Sequence, residues 1–238
     1  MTADWTQAVR QRLGLGRLLP LGGPRDGAWL TEDAARTALE RAVGAVPGVR
    51  LGPMRIGLAD PDHTYDPAVP PPPSALPPGP LRLTADFAAT ATEPLPAAAS
   101  RLRTALATAS AERLGLTVAE IDLRVMGLLD DGEPTRPVAE PAPGPARAAE
   151  PTDPTEARAA AAALAVPGVD RLTGALGRPV HLITDGGRDD ALPRPHVRLE
   201  LAVRADRRAV DVAREVRAQV SEALPDHPSV AVLITAVR

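Results

Sequence analysis

His181, Asp185, Asp189, Asp190 and His196 lie close together in the chain and could be drawn as the ligand set of a transition metal. The two histidines do not share a helical face, and the residues around them read as strands joined by a polar hairpin at Asp185-Gly186-Gly187. A strand there points His181 away from Val180 and Leu182, so the plain expectation is a polar turn that holds no metal. The other two histidines are His63 and His227. None of the five serines sits in a G-x-S-x-G elbow, and none is expected to meet a histidine. Gly14-Leu15-Gly16 and Gly22-Gly23-Pro24-Arg25-Asp26-Gly27 are rich in glycine but lack the lysine of a phosphate loop and are not expected to have its strand-loop-helix setting. Cysteine is absent, which removes thiolate catalysis, Cys-based metal sites and disulfides together and suits a reducing compartment. The expectation is a non-enzymatic protein with no catalytic, cofactor-binding or metal-binding residues.

All 27 basic residues are arginine, yet the net charge is -3, without the cationic surplus that sequence-independent nucleic-acid binding draws on. Arg204, Arg207, Arg208, Arg214 and Arg217 gather near one helix, where Asp206, Asp211, Glu215 and Glu222 interleave with them as partners three and four residues away. No apolar stretch approaches the roughly 20 residues of a membrane-spanning helix. The early Asp4, and the interruption of Leu13 to Leu21 by Gly14, Gly16, Arg17 and Pro20, argue against a signal peptide.

The elements that would carry these residues come twice. Ala45-Val46-Pro47-Gly48-Val49 recurs as Ala165-Val166-Pro167-Gly168-Val169, each time after an alanine-rich helical run. Leu81-Arg82-Leu83 answers to Val197-Arg198-Leu199, the run from Ala99 to Leu106 to that from Ala213 to Val220, and Ile121 to Leu128 to Val230 to Val237. Order and spacing together predict two tandem α+β sandwich domains. Each would be a small antiparallel or mixed sheet with two helices on one face, in the order helix-strand-strand-helix-strand. The boundaries read as an amino-terminal arm over 1–28, a first domain over 29–130, a Pro/Ala-rich linker over 131–155 and a second domain over 156–238. Within the first domain, residues 61–80 are so rich in proline that a mobile insertion is expected, with polyproline II as its only regular option. Thr31 reads as a helix N-cap followed by Glu32 and Asp33, and Gly115 as the end of a helix opened by Pro94 and Pro96. The strand Val118 to Leu129 alternates, with Ile121, Leu123 and Val125 inward against Asp122 and Arg124 outward.

Val46-Pro47-Gly48-Val49, the strand Leu81 to Phe87, Leu114-Gly115-Leu116-Thr117-Val118 and Ile121-Asp122-Leu123-Arg124-Val125-Met126-Gly127 together resemble the alkaline-shock and general-stress envelope protein family of Gram-positive bacteria. The second copy keeps Val166-Pro167-Gly168-Val169 but carries Leu224-Pro225-Asp226-His227-Pro228 where the first has its glycine turn. The resemblance implies a cytoplasmic, non-enzymatic scaffold or adaptor, peripheral at the inner face of the membrane. It would be held there by a membrane-anchored partner and assemble with itself or its relatives. The order of elements also overlaps that of KH RNA-binding domains, which makes RNA binding the alternative, although no GXXG loop joining two helices, the feature that clamps phosphates there, is expected. Val230-Ala231-Val232-Leu233-Ile234-Thr235-Ala236-Val237 is apolar on both faces, whereas a strand covered by helices on one side needs only one apolar face. Val230, Val232, Leu233, Ile234 and Val237 are therefore expected at an interface, covered by the first domain, by the arm around Trp5, or by another subunit, unless a loop of the same domain closes that face and the strand is simply core.

Overall fold

The computed structural model describes residues 16–130, 148, 151, 153–184 and 195–238. Trp5, the hairpin tip with Asp185, Asp189 and Asp190, and most of the 131–155 linker lie outside the described residues. The fold is mixed α+β, with four α-helices and two sheets among the described residues.

The first segment is a hairpin of β1 (Leu18–Pro20) and β2 (Ala28–Thr31), which leads directly into α1 (Glu32–Val43). Thr31 caps α1 as its spacing predicts, its side chain accepting from the Ala34 amide, with Glu32 and Asp33 in the first turn. After the Pro47-Gly48 turn come β3 (Val49–Leu58) and β4 (Leu81–Thr90), then α2 (Leu95–Thr108), a π turn over Ala109–Leu114, and β5 (Val118–Leu129). The second half follows with α3 (Pro154–Leu164), β6 (Val169–Leu172), β7 (Val180–Thr184), β8 (Pro195–Val203), α4 (Ala209–Ala223) and β9 (Ser229–Val237). Asp153 caps α3 by accepting from the amides of Thr155 and Glu156.

The smaller sheet runs β3-β4-β5, antiparallel and then parallel. The larger runs β1-β2-β9-β8-β6, with β7 also paired to β8. Within it β6 and β7 lie antiparallel to β8, while β8 and β9 are parallel. Both V-P-G-V turns use their glycine in the left-handed region, φ 69° at Gly48 and 102° at Gly168, where a side chain would be strained. The two carbonyls are used alike: Thr90 donates its amide to Gly48 and Arg204 donates its amide to Gly168, at 2.9 and 2.8 Å.

The two halves share one apolar core. Ala34, Ala35, Ala38, Leu39 and Val43 of α1 belong to the same buried cluster as Leu102 and Leu106 of α2, Val212, Ala213 and Val216 of α4, and the inward residues of both sheets. Small alanines on α1 allow it to contact β3 on one side and β9 on the other. Arg41 of α1 donates to the Val237 carbonyl, and Arg208 donates to the Ala111 carbonyl across the halves. The hairpin read as the end of an arm and the start of a domain is a structural part of the larger sheet, because β2 pairs in parallel with β9 through Ala28↔Val232, Trp29↔Leu233 and Leu30↔Ile234.

The proline-rich segment departs from the expected mobile insertion. Leu76 donates its amide to Leu18, Ala68 to Pro24 and Tyr65 to Pro78, at 2.9, 2.9 and 2.8 Å, and Trp29 Nε1 donates to the Leu76 carbonyl at 3.2 Å. Proline removes donors, but the carbonyls and the few remaining amides suffice to moor the segment across the hairpin.

Candidate interaction surface

The far face of the larger sheet is closed from within the chain. Leu18, Trp29, Val69, Ala231 and Leu233 form a second apolar cluster on the side away from the helices, with Ala75 and Leu176 packed at its edge. Val230, Val232, Leu233, Ile234 and Val237 are all buried. Alternation, shifted by one residue at the irregularity between Ile234 and Ala236, divides them: Val230, Val232, Ile234 and Val237 join the helix-facing core, and Leu233 joins the Trp29 cluster. On the second apolar face of β9, Leu18 and Trp29 flank Leu233 from the neighbouring strands and the proline-rich segment packs against them through Val69 and Ala75, so these five residues form no open docking surface.

A polar row crosses the same sheet face. His196, Arg198 and Glu200 alternate along β8, with His181 opposite Arg198 on β7 and Leu233 opposite Glu200 on β9. Glu200 is fully buried, accepts from the Leu176 amide at 2.9 Å through Oε2, and has no hydrogen-bond partner at Oε1 among the described residues. Burial pushes its carboxyl up to about 7, against the lowering influence of the Leu176 amide, the Arg198 charge and the Ala175 amide. Burial, then the charges of Arg198 and Arg178, lower His181, while Glu156 opposes them.

His196 meets a serine, contrary to the expectation from sequence: its Nδ1 lies 2.8 Å from Ser229 Oγ. The two are register partners at the starts of β8 and β9, so the contact clasps the mouth of that parallel pair. Sequence spacing hides such a pair because register, not proximity along the chain, creates it. Ser229 also lines a cleft of about 450 Å³ with Val69, Arg217, Ser221 and His227. There Arg217 spends Nε on the Val230 carbonyl and Nη1 on those of Arg25 and Asp26. Asp226 and His227 both take left-handed backbone, φ 63° and 43°, and His227 Nδ1 lies 3.2 Å from the Ser221 carbonyl. These groups hold the turn between α4 and β9. Among the described residues no three His, Asp or Glu side chains gather as a metal set.

The arginines around α4 follow the expected interleaving only in part: the pairs three residues apart are those of Arg208 and Arg214 with Asp211, while Arg217 turns to backbone carbonyls. Arg214 reaches both carboxylate oxygens of Asp26 at 2.8 and 2.9 Å and also Asp211, and hydrogen bonding from Arg214 holds the Asp26 carboxyl below its ordinary range. Arg204 pairs with Asp206, and Arg208 with Asp211.

The open surface is at β5. This twelve-residue strand pairs with β4 and with no other strand among the described residues, so one backbone edge is unpaired there. Val125, Met126 and Leu128 are exposed by 42%, 62% and 61%, three of the five large apolar side chains exposed on the described surface, and thus concentrated on a single edge. Beside them the outer sheet face is charged and self-neutralised: Arg124 holds Asp86 at 2.9 and 3.0 Å, and Arg82 pairs with Glu120 and lies 3.5 Å from Asp122. Pairing with β4 is regular from Glu120 to Val125 and shifts on either side, at Ala119 and at Met126. The alternation of β5 is legible in the sequence, but its exposed apolar side chains are not the β9 residues expected at an interface, all of which are buried. The run Met126-Gly127-Leu128-Leu129, where alternation stops, was the available signal.

Among the described residues no helix is long and apolar enough to cross a membrane. Comparison with models of protein families and with curated proteins finds no match to this chain.

Proposed function

We propose that this protein works by binding other proteins, as a non-enzymatic scaffold or adaptor of the envelope-stress kind, and that β5 is the edge through which it does so. The observation that carries the reading is the unpaired edge of β5 with Val125, Met126 and Leu128 exposed along it. An edge of this length offers backbone donors and acceptors to an added strand, and its apolar side chains add area that water does not favour. The V-P-G-V and L-G-L-T-V motifs support kinship with the stress-protein family, and with it recruitment to the cytoplasmic membrane face by an anchored partner. A duplicated unit is supported by the related order of the halves, helix-strand-strand-helix-strand in the first and the same with two short strands, β6 and β7, in place of β3 in the second, and by the equivalent left-handed glycines. In this reading the two units have fused their cores, and the β1–β2 hairpin has filled the edge of β9 while that of β5 stays open.

RNA binding receives less support. The helical segment runs from α2 into the π turn with no intervening loop to clamp phosphates, and Arg204, Arg208, Arg214 and Arg217 near α4 already hold carboxylates or carbonyls. The test is chemical cross-linking in the cells that make the protein, comparing the natural chain with Met126→Lys/Leu128→Lys. Both side chains are exposed, so the variant folds. Loss of specific cross-linked proteins in the variant supports the reading. An unchanged set of protein partners, or cross-linked RNA in their place, overturns it.

A further inference from the structure

We propose that the strand received by β5 is β5 of a second copy of this chain, paired antiparallel about a two-fold axis at Leu123. The inference rests on the interaction reading above and names its partner. A two-fold perpendicular to a sheet brings residues of like parity opposite one another, so the axis must pass through a residue. The regular stretch Glu120 to Val125, bounded by the register shifts, leaves few choices. An axis at Ile121 sets Glu120 against Asp122, one at Asp122 offers two Glu120–Arg124 pairs but sets the Asp122 carboxylate against its own copy at the centre of the seam, and one at Arg124 sets guanidinium against guanidinium. Only at Leu123 does Asp122 face Arg124 of the second copy twice over. That register also places Ile121 opposite Val125 and Leu123 opposite itself, which covers the exposed Val125 on the side facing the helices.

Arg124 and Asp122 side chains are 71% and 60% exposed, so each can reach across the new seam while remaining near Asp86 and Arg82. The fold already fills this position once. β9 stands beside β8 as β5 stands beside β4, parallel and at the same place in the order, and its outer edge is taken by β2. A paired β5 would merge two three-stranded sheets into one of six strands and remove an edge that otherwise invites indiscriminate pairing.

The test is sedimentation equilibrium on the full chain and two charge reversals at exposed positions, Asp122→Arg and Arg124→Asp. Each reversal places like charges opposite one another at both positions, so each variant alone should dimerise at least about tenfold more weakly than the natural chain. Mixed together, the two variants restore opposite charges at every position and should form a heterodimer. Leu123→Cys, in a chain with no other cysteine, should cross-link into a covalent dimer under mild oxidation without dependence on either charge. A natural chain that stays monomeric at 100-fold dilution steps up to about millimolar concentration, variants that dimerise as well as the natural chain, or a mixture that fails to pair overturns the proposal. If the chain is monomeric while the Met126→Lys/Leu128→Lys variant still loses its cellular partners, self-pairing fails and the broader interaction reading stands.

Discussion

Glu200 makes the fold sensitive to pH in a direction opposite to most carboxylates. Its carboxyl lies at 0% exposure beneath the Leu176 turn and opposite Leu233, where the charged form loses hydration that the Leu176 amide, the Arg198 charge and the Ala175 amide replace only in part. With the folded value raised from the ordinary 4.5 to about 7, the folded state keeps a proton that the unfolded state has already released. The sign follows from linkage: the stabilising contribution is complete below pH 4.5, declines between 4.5 and 7, and is gone above 7. At about 1.4 kcal/mol for each pH unit, the whole change is about 3 kcal/mol, a large part of the stability of an ordinary domain. Glu200→Gln keeps the shape and an acceptor for Leu176 but cannot titrate. Urea unfolding of both proteins at about pH 5, 6, 7 and 8, followed by circular dichroism, measures the difference between them. The natural chain should lose about 2–3 kcal/mol relative to the variant across that range, most steeply between about pH 5 and 7. A difference that stays constant with pH would mean that Glu200 ionises at its ordinary value in the folded protein, and the burial argument would fail.

Gly115 and Gly177 both have left-handed backbone, φ 87° and 117°, but an added Cβ at Gly115 would strike the Val210 side chain while one at Gly177 would meet nothing within 4 Å. Gly115→Ala should therefore cost about 1–3 kcal/mol more than Gly177→Ala in chemical unfolding, and equal costs would show that the turn is not seated against α4. Trp29→Ala should cost about 3–5 kcal/mol and accelerate amide exchange at Leu76 and Ala68, since the indole both fills the far-face cluster and ties down the proline-rich segment. Unchanged exchange there would separate the segment from the cluster.

Local chemistry determined much of this protein before any tertiary contact formed. Thr31 and its two acids specify the start of α1, Pro47-Gly48 its end, and strict alternation from Ile121 to Val125 the strand β5 and its two faces, because caps, turns and period-two patterns act over a few residues. The recurrence of V-P-G-V likewise appears as two glycines with left-handed backbone and equivalently bonded carbonyls. The sequence could also say that β9 must be covered on both faces, since burying Leu233 is favoured whatever does the covering. What covers it is a matter of long-range register. Leu30 and Ile234 stand side by side in the sheet although most of the chain separates them, and no local pattern encodes a pairing between such distant segments. The same is true of His196 against Ser229 and of the proline-rich segment against Trp29. Only the folded arrangement decided that β9 is enclosed and that the edge carrying exposed apolar side chains is that of β5.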